Sequence, residues 1–323
     1  MTPVLKDNTK KYPGSWLFSK KILEWTFRPE LRSQLPFLFR LFSRYSQFYF
    51  YLTSSDYLKG GRKLFLHISN FNKTRFGLDY TLIKLPGYTI CVDLTDPRFL
   101  NVINEFLKED SATRVLNTLL HPGDTFIDIG ANHGSFSVVA SRLVGQKGLV
   151  IAVEAQSRLI FTISKSLELN SGSPYRILHT AVGNMDGEIE FYIPEDTSGS
   201  AGIFREHSAR FRHRSAKVRI ARFDKLVDWK AFQGKVIIKL DIEGSEFDFL
   251  KGAEEMIRSL KPVLIMEVNP ESMKAAGISD IQLLDIFKEF GYKSFSYLKS
   301  PDKSETLNLL NLSYFSNVIL YAD

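Results

Sequence analysis

The stretch Asp128-Ile-Gly-Ala-Asn-His-Gly134 constrains the fold of this chain more than any other. An apolar strand-like run, 126 to 129, enters a glycine turn and leaves it as a helix-like segment, 135 to 143. Gly130 lets the backbone bend sharply where the strand ends. Gly134 lets the next helix begin close to a ligand, with its unpaired N–H groups facing that ligand. A second apolar run, 149 to 153, ends in Glu154, the acidic residue that a Rossmann-like fold places on ribose hydroxyls. Turn and acid together predict a nucleotide-cofactor site; the competing reading is an ordinary strand-turn-helix corner with an incidental glutamate.

The turn is not a dinucleotide fingerprint. Asn132 stands where Gly-x-Gly-x-x-Gly needs its middle glycine, and no third glycine follows Gly134 at the spacing that packing on a pyrophosphate requires. S-adenosylmethionine has no phosphate and presents an amino-acid group, a ribose and an adenine. A looser turn with an acid at the next strand end suits it better, so it is the expected cofactor.

The chain has 323 residues, enough for a full α/β core as one large domain or as one domain plus an extension. Its 44% hydrophobic and 24% charged content is that of a globular protein in water. A single cysteine, Cys91, excludes an intrachain disulfide framework and a cysteine-based zinc cluster. Residues 1 to 11 are polar and charged, without the apolar centre of a secretory signal. Both features point to a reducing, cytoplasmic setting. The net charge of +6 is local: Arg205, Arg210, Arg212, Arg214, Lys217, Arg219 and Arg222 face one acid, Glu206, within 205 to 222. Elsewhere 35 basic residues balance 35 acidic ones.

Residues 1 to 75 form an aromatic-rich extension, interrupted by Pro13, Pro29 and Pro36, that reads as short helices and turns. Its most apolar run, 35 to 52, carries Arg40 and Arg44 near the middle. Each would cost roughly 2.5–3.5 kcal/mol inside a bilayer, which argues against a membrane span. Two readings stay open, a helix packed on the catalytic domain or on a partner subunit, as in a homodimer, and an interfacial membrane helix. From residue 76 the pattern is strand-like, with a hairpin of 82–85 and 88–92 about Pro86-Gly87, followed by helices at 98–107 and 112–120. Strands expected at 125–129, 149–153, 175–179, 236–240 and 263–268 alternate with helices at 135–143, 157–169, 245–260 and 280–290. Such alternation predicts an α/β fold, a parallel sheet with right-handed crossovers. Two closing strands, 292–298 and 315–321, and an outlying pair, 187–193 with 218–220, complete the reading.

The motif residues of the turn, Val153-Glu154-Ala155, Ile238-Lys-Leu-Asp241-Ile-Glu243-Gly-Ser-Glu246 and Leu250-Lys-Gly-Ala253 resemble, in order, the FkbM family of S-adenosylmethionine-dependent methyltransferases. The Lys-x-Asp-x-Glu-Gly-x-Glu string is the most specific element. The resemblance implies a class I (Rossmann-like) methyltransferase fold, a mostly parallel twisted sheet with helices on both faces and a closing antiparallel strand. It places the methyltransferase domain at 76–323, with a motif-bearing core at about 122–300. It implies methyl transfer to an oxygen of a sugar, polyketide or related small molecule. Cofactor contacts would fall on Asp128, Gly130, Asn132, Gly134, Glu154, Ala155, Ala181, Val182 and Asp241. Two departures stand out: His133 replaces a commoner aliphatic residue, and the segment 195–222 is unusually basic.

Methyl transfer from a sulfonium is an in-line displacement governed by alignment, and a neutral hydroxyl must lose its proton as it attacks. Asp241 and Glu243 follow a strand end, where open α/β sheets bind ligands. Asp241 is expected to face cofactor and acceptor, with Glu243 or His133 as base. In the alternative, Asp241 and Glu243 cap the helix beginning near Ser245. Lys239, inside a strand, either pairs with a carboxylate such as Glu267 or snorkels at a sheet edge. Acids of this kind also suit a divalent cation, but the sequence identifies no third ligand and no metal site is assigned.

The leading expectation is an O-methyltransferase acting on a small molecule or glycan, with the basic segment as a lid over an anionic acceptor or as a merely solubilising loop. A nucleic-acid (RNA) methyltransferase using that strip is the alternative. No Asn-Pro-Pro-Tyr or Asp-Pro-Pro-Tyr element follows Leu240 to hold a base amine. A catalytically inactive binding protein of the same fold is a third class.

Overall fold

A computed structural model of the chain describes residues 80–322, without 86, 94–95, 97, 99–101, 103–104, 107–111, 195–197 and 206–212. All of them belong to one compact unit, Ser55–Asp323. The extension expected at 1–75, most of the 98–107 helix, and Arg210 and Arg212 lie outside the described residues.

Eight strands form the main sheet, because runs such as Leu149 to Val153 are apolar throughout and must be covered on both faces. They are β3 (Thr125–Ile129), β4 (Leu149–Glu154), β5 (Tyr175–His179), β9 (Val236–Leu240), β10 (Val263–Val268), β11 (Tyr292–Tyr297), β12 (Glu305–Thr306) and β13 (Ser316–Ala322), and the spatial order is β12-β11-β13-β10-β9-β3-β4-β5. From β5 to β10 all pairings are parallel; β13 runs antiparallel to β10 and β11, and β12 antiparallel to β11.

Within these buried strands the period of two still decides which layer each residue meets. Ile127, Ile129, Ile151, Val153, Ile238 and Leu240 pack in one core with Phe223, Phe249, Leu250, Ile257 and Phe287. Those partners come from α4 (Phe223–Leu226), α5 (Glu246–Gly252), α6 (Glu254–Leu260) and α8 (Asp280–Glu289). Phe126, Val150 and Ile237 point the other way, onto Leu116 of α1 (Ala112–Leu119) and Val139 and Ala140 of α2 (Ser135–Val144). On that second side Ala152 meets Ile163 and Leu167 of α3 (Ser157–Asn170). Each of the Val, Leu, Ile and Phe side chains so removed from water contributes about 1.5–3 kcal/mol.

Two smaller sheets flank this core. The hairpin β1 (Tyr80–Leu85) and β2 (Tyr88–Asp93) docks on α3 through side chains that imitate a neighbouring strand. Asn170 accepts Thr89 N–H at 2.9 Å and donates to Thr89 O at 2.6 Å, and Ser166 Oγ accepts Cys91 N–H at 2.8 Å. The third sheet has the order β6-β8-β7, built from β6 (Ala181–Val182), β7 (Gly187–Pro194) and β8 (His213–Ala221).

Three local expectations need correction. The helix expected at 245–260 is two helices, broken at Ala253, which leaves helical geometry at φ −119° and ψ 18°. Gly252 packs there against the backbone of Gly183, where a Cβ would stand 1.8 Å from the Gly183 carbonyl oxygen. An unforeseen short helix, α7 (Pro270–Ala275), follows β10, capped by Asn269, whose side chain accepts from the N–H groups of Glu271 and Ser272. Asparagine before proline is an N-cap and N1 signal that the sequence carried in plain view. Lys239 does pair with carboxylates, but not at a sheet edge and not with Glu267: β9 is central, and its register sets Lys239 opposite Asp128 of β3.

Candidate active site

After β3 the chain winds towards β4 and β5, and then crosses back to place β9 on the other side of β3. The crevice between the C-terminal ends of β3 and β9 is therefore a topological switch point, where open α/β sheets bind ligands. Here the two strand ends touch. Asp241 N–H donates to Ile129 O at 3.2 Å, and a Cβ on Gly130 would stand 2.0 Å from the Asp241 carbonyl oxygen. Gly130 also has φ +75°, so only glycine fits both the conformation and the space. Its N–H and that of Ala131 both donate to Val153 O at 3.0 Å, which ties the turn to β4.

Glu154, at the end of β4, is buried and faces an open cleft of about 620 Å³ that Gly130, Asn132, Asp241 and Glu243 also line. Its Oε2 accepts Asn132 N–H and its Oε1 accepts Gln156 N–H, each at 2.8 Å. Burial pushes the Glu154 carboxyl above its ordinary range, and the two backbone N–H groups pull the other way. Each carboxylate oxygen keeps a further lone pair for a hydroxyl. Asn132 reaches this position with φ +53°, a left-handed conformation that asparagine tolerates. Its side chain meets Ser198 Oγ at 2.9 Å and His133 Nδ1 at 2.7 Å.

Under the turn lies a buried ion cluster. Asp128 Oδ2 accepts both the N–H (3.0 Å) and the Oγ–H (2.6 Å) of Ser137 at the start of α2. Lys239 Nζ stands 3.7 Å from Asp128 Oδ1, 3.2 Å from Asp241 Oδ2 and 3.0 Å from Gly130 O, to which it donates. Burial draws the Lys239 pKa down, but the charges of Asp241 and Asp128 outweigh it and the net direction is upward. One ammonium thus joins the strand below the turn, the turn itself and the acid beyond β9.

Asp241 and Glu243 do not cap the helix that follows. Glu246 folds back instead, accepting Ile242 N–H at 3.0 Å and Gly244 N–H at 2.9 Å, while Ser245 makes no side-chain cap. Glu243 stands at φ +52° in that turn; Asp241 and Glu243 both line the cleft, and Glu243 Oε2 also accepts from Ser272 Oγ at 3.4 Å. Burial pushes the Glu246 carboxyl up to about 7.

A third acid joins them from the end of β10. Asp241, Glu243 and Glu267 offer carboxylate oxygens within 4.8 Å of one another, a donor set of the kind hard divalent cations accept. Burial, followed by the charges of Asp241, Glu243 and Glu246, pushes the Glu267 carboxyl up to about 8. The sequence could not supply Glu267 as a third member, because only the β9–β10 pairing brings it beside Asp241.

Of the residues singled out in the sequence, Gly130, Asn132, Glu154, Ala155, Ala181, Val182, Asp241 and Glu243 line the cleft. Asp128 and Gly134 lie behind it. Gly134, at φ +79°, opens α2 and leaves room for Ile163, 3.3 Å from where a Cβ would be. His133 is buried away from the cleft lining, with Nε2 3.9 Å from Asp96 Oδ2, and burial depresses its pKa to about 4. Reading by motif missed Gln156, the residue after Ala155, and Arg98, Ser198 and Ile203, which arrive from distant segments. None of the described basic residues Arg205, Arg214, Lys217, Arg219 and Arg222 lines the cleft. Lys217 and Arg219 instead stand across β7–β8 from Glu190 and Glu188.

The parallel strands β5-β4-β3-β9-β10 followed by the antiparallel β13 and then β11, with a cleft at the switch point, define a class I methyltransferase fold. The chain belongs to the FkbM methyltransferase family: the family described as "Methyltransferase FkbM domain" matches residues 128–294. No curated protein gives a significant match. Among solved structures, the chain is similar to the methyltransferase FkbM of Methylobacillus flagellatus, at 15% identity and TM-score 0.38 over 70% of this chain and 54% of that one. The chain therefore spans about half the length of that protein. It is also similar to M. jannaschii TYW2 in complex with AdoMet (13% identity, TM-score 0.38, covering 75% of this chain and 84% of that one). A third is the Pyrococcus abyssi tRNA (uracil-54, C5)-methyltransferase in complex with S-adenosyl-L-homocysteine (13%, TM-score 0.38, 76% and 44%).

S-adenosylmethionine is the cofactor that the FkbM methyltransferase domain calls for, and the cleft has features that suit it. Gly130 lines it, Glu154 turns a buried carboxylate to it, and Gln156 Oε1 and Arg98 Nε are buried polar atoms of its lining residues without hydrogen-bond partners. Among the described residues, no helix is long and apolar enough to cross a membrane.

Proposed function

We propose that this chain is an O-methyltransferase that transfers the methyl group of S-adenosylmethionine to a hydroxyl of a small molecule or glycan. The observation that supports it is the acid trio of Asp241, Glu243 and Glu267 beside a cofactor cleft. S-adenosylmethionine supplies an electrophilic methyl group; the chain's residues have to align the acceptor and take its proton. Asp241, held by Lys239, orients the acceptor hydroxyl, and Glu243 on the cleft wall accepts its proton. Glu267, whose carboxyl is pushed up to about 8, holds its own proton near neutral pH and leaves Glu243 as the acceptor. His133, turned towards Asp96, supports the turn in this reading and is not the base.

The charge pattern does not favour an RNA acceptor. The cross-strand partners of Lys217 and Arg219 are acids, and the described cleft lining is mainly acidic rather than basic. A lid closing on an anionic acceptor loses support on the same grounds.

Calorimetry with S-adenosylhomocysteine on wild type and Glu154→Ala tests the cofactor half. Binding by wild type and a loss of about 1–3 kcal/mol in the variant is expected. Transfer from a ¹³C-methyl cofactor to a panel of sugars and phenolic or polyketide alcohols tests the rest. Methoxy carbons in the product spectrum support the reading; N-methyl or C-methyl carbons refute it.

A further inference from the structure

Arg98 lines the cleft, yet it lies outside the matched stretch 128–294 and in none of the sequence motifs. It is fixed from behind. Its backbone N–H donates to Asp96 Oδ1 at 3.0 Å, and the fully buried Asp96 also accepts Ser198 N–H at 3.2 Å and an Arg158 N–H at 3.4 Å. Gly199 leaves the guanidinium its space, since a Cβ there would stand 2.6 Å from Arg98 Nη1. The group so placed is under-used. Its Nε is buried without a hydrogen-bond partner, and its ion-pair contact to Glu105 spans 3.8 Å, beyond hydrogen-bond reach.

The charges of the cleft say what Arg98 lacks. Glu154, Asp241 and Glu243 line it, and Lys239 is taken up by Asp128 and Asp241 beneath the turn. Among the described residues, Arg98 is the only cation on the lining. The cofactor's sulfonium and ammonium suit the acids, but its single anionic group, the methionyl carboxylate, needs a cation. Location agrees with charge. Glu105, the contact of Arg98, hydrogen-bonds Ser135 Oγ at the first residue of α2. That places Arg98 by the 132–135 turn rather than by Ala181 and Val182 at the far side of the cleft lining, after β5.

We propose that Arg98 binds the carboxylate at the amino-acid end of S-adenosylmethionine through its planar fork of N–H groups. This rests on the cofactor reading above. The test compares three probes by calorimetry on wild type, Arg98→Ala and Arg98→Lys. The probes are S-adenosylhomocysteine, its decarboxylated analogue S-adenosyl-3-thiopropylamine, and 5′-methylthioadenosine, which lacks the whole amino-acid end. Wild type should bind the decarboxylated analogue about 10- to 100-fold more weakly than S-adenosylhomocysteine. Arg98→Ala should lose a similar factor for S-adenosylhomocysteine and about none for the other two, with Arg98→Lys in between. Equal losses for all three probes, or no loss for any, overturn the assignment. If the alanine variant does not fold, the wild-type comparison decides alone: equal affinity for the first two probes refutes the carboxylate contact. Failure of wild type to bind any probe would instead refute the cofactor reading, and this inference with it.

Discussion

Replacing Gly130 by alanine tests whether the close approach of β3 and β9 is what the turn sequence is for. Two penalties combine. At φ +75° a Cβ costs about 1–2 kcal/mol in backbone conformation. The same Cβ would sit 2.0 Å from the Asp241 carbonyl oxygen and 3.0 Å from Ile242 Cγ2. The first of these atoms is backbone, so the strand ends have to separate, which adds about 1–3 kcal/mol as in other overpacked sites. Separation also strains the Lys239 bond to Gly130 O and moves Asp241. The sum, about 2–5 kcal/mol, leaves a domain of ordinary stability folded with a distorted cleft. Gly277→Ala is the control, since it has φ +71° with nothing within 4 Å of the added carbon and carries only the conformational cost. Urea unfolding gives the stability of each variant and calorimetry with S-adenosylhomocysteine gives the cleft. If Gly130→Ala unfolds no more easily than Gly277→Ala and binds the ligand as wild type does, the close approach does not explain this glycine.

Lys239→Met should destabilise the protein by about 3–5 kcal/mol in urea, because it strands the buried Asp128 carboxylate. Adding Asp128→Asn should recover part of that loss, as the uncharged carboxamide oxygen can still accept from Ser137. A cost below about 1 kcal/mol for Lys239→Met alone would contradict the buried pair. Glu267 gives a pH prediction. Its carboxyl is raised to about 8 in the folded state, so the proton-bound form stabilises the fold. That contribution is complete below the unfolded-state value and is lost as pH rises through about 8. Thermal melts should therefore fall steadily from about pH 5 to about 8 and level off above, and fall less in Glu267→Gln, the remainder coming from Glu246, raised to about 7; identical slopes would refute the assignment.

The parts legible in the sequence were those set by neighbours along the chain. Glycines at 130 and 134 report a backbone need that no other residue meets. The apolar runs of β3, β4, β9 and β10 report burial on both faces. The acid after β4 marks a strand end that lines the cleft. Even the outlying pair 187–193 with 218–220 was readable from its alternation and pairs as β7–β8. The break at Ala253 was not legible, because the helix-favouring sequence yields there to a tertiary contact between Gly252 and Gly183.

By itself, then, the sequence determined the α/β class, the turn, and the identities of Glu154, Asp241 and Glu243, since strand period, glycine conformation and strand-end acids are local properties. Only the tertiary structure decided the charges' partners. Lys239 meets Asp128 because parallel register places them side by side, and Glu267 meets Asp241 across β9 and β10. Arg98 reaches the cleft through contacts with Asp96 and Gly199, the latter about a hundred residues away. Pairing of this kind depends on distances between segments, which spacing along the chain does not encode.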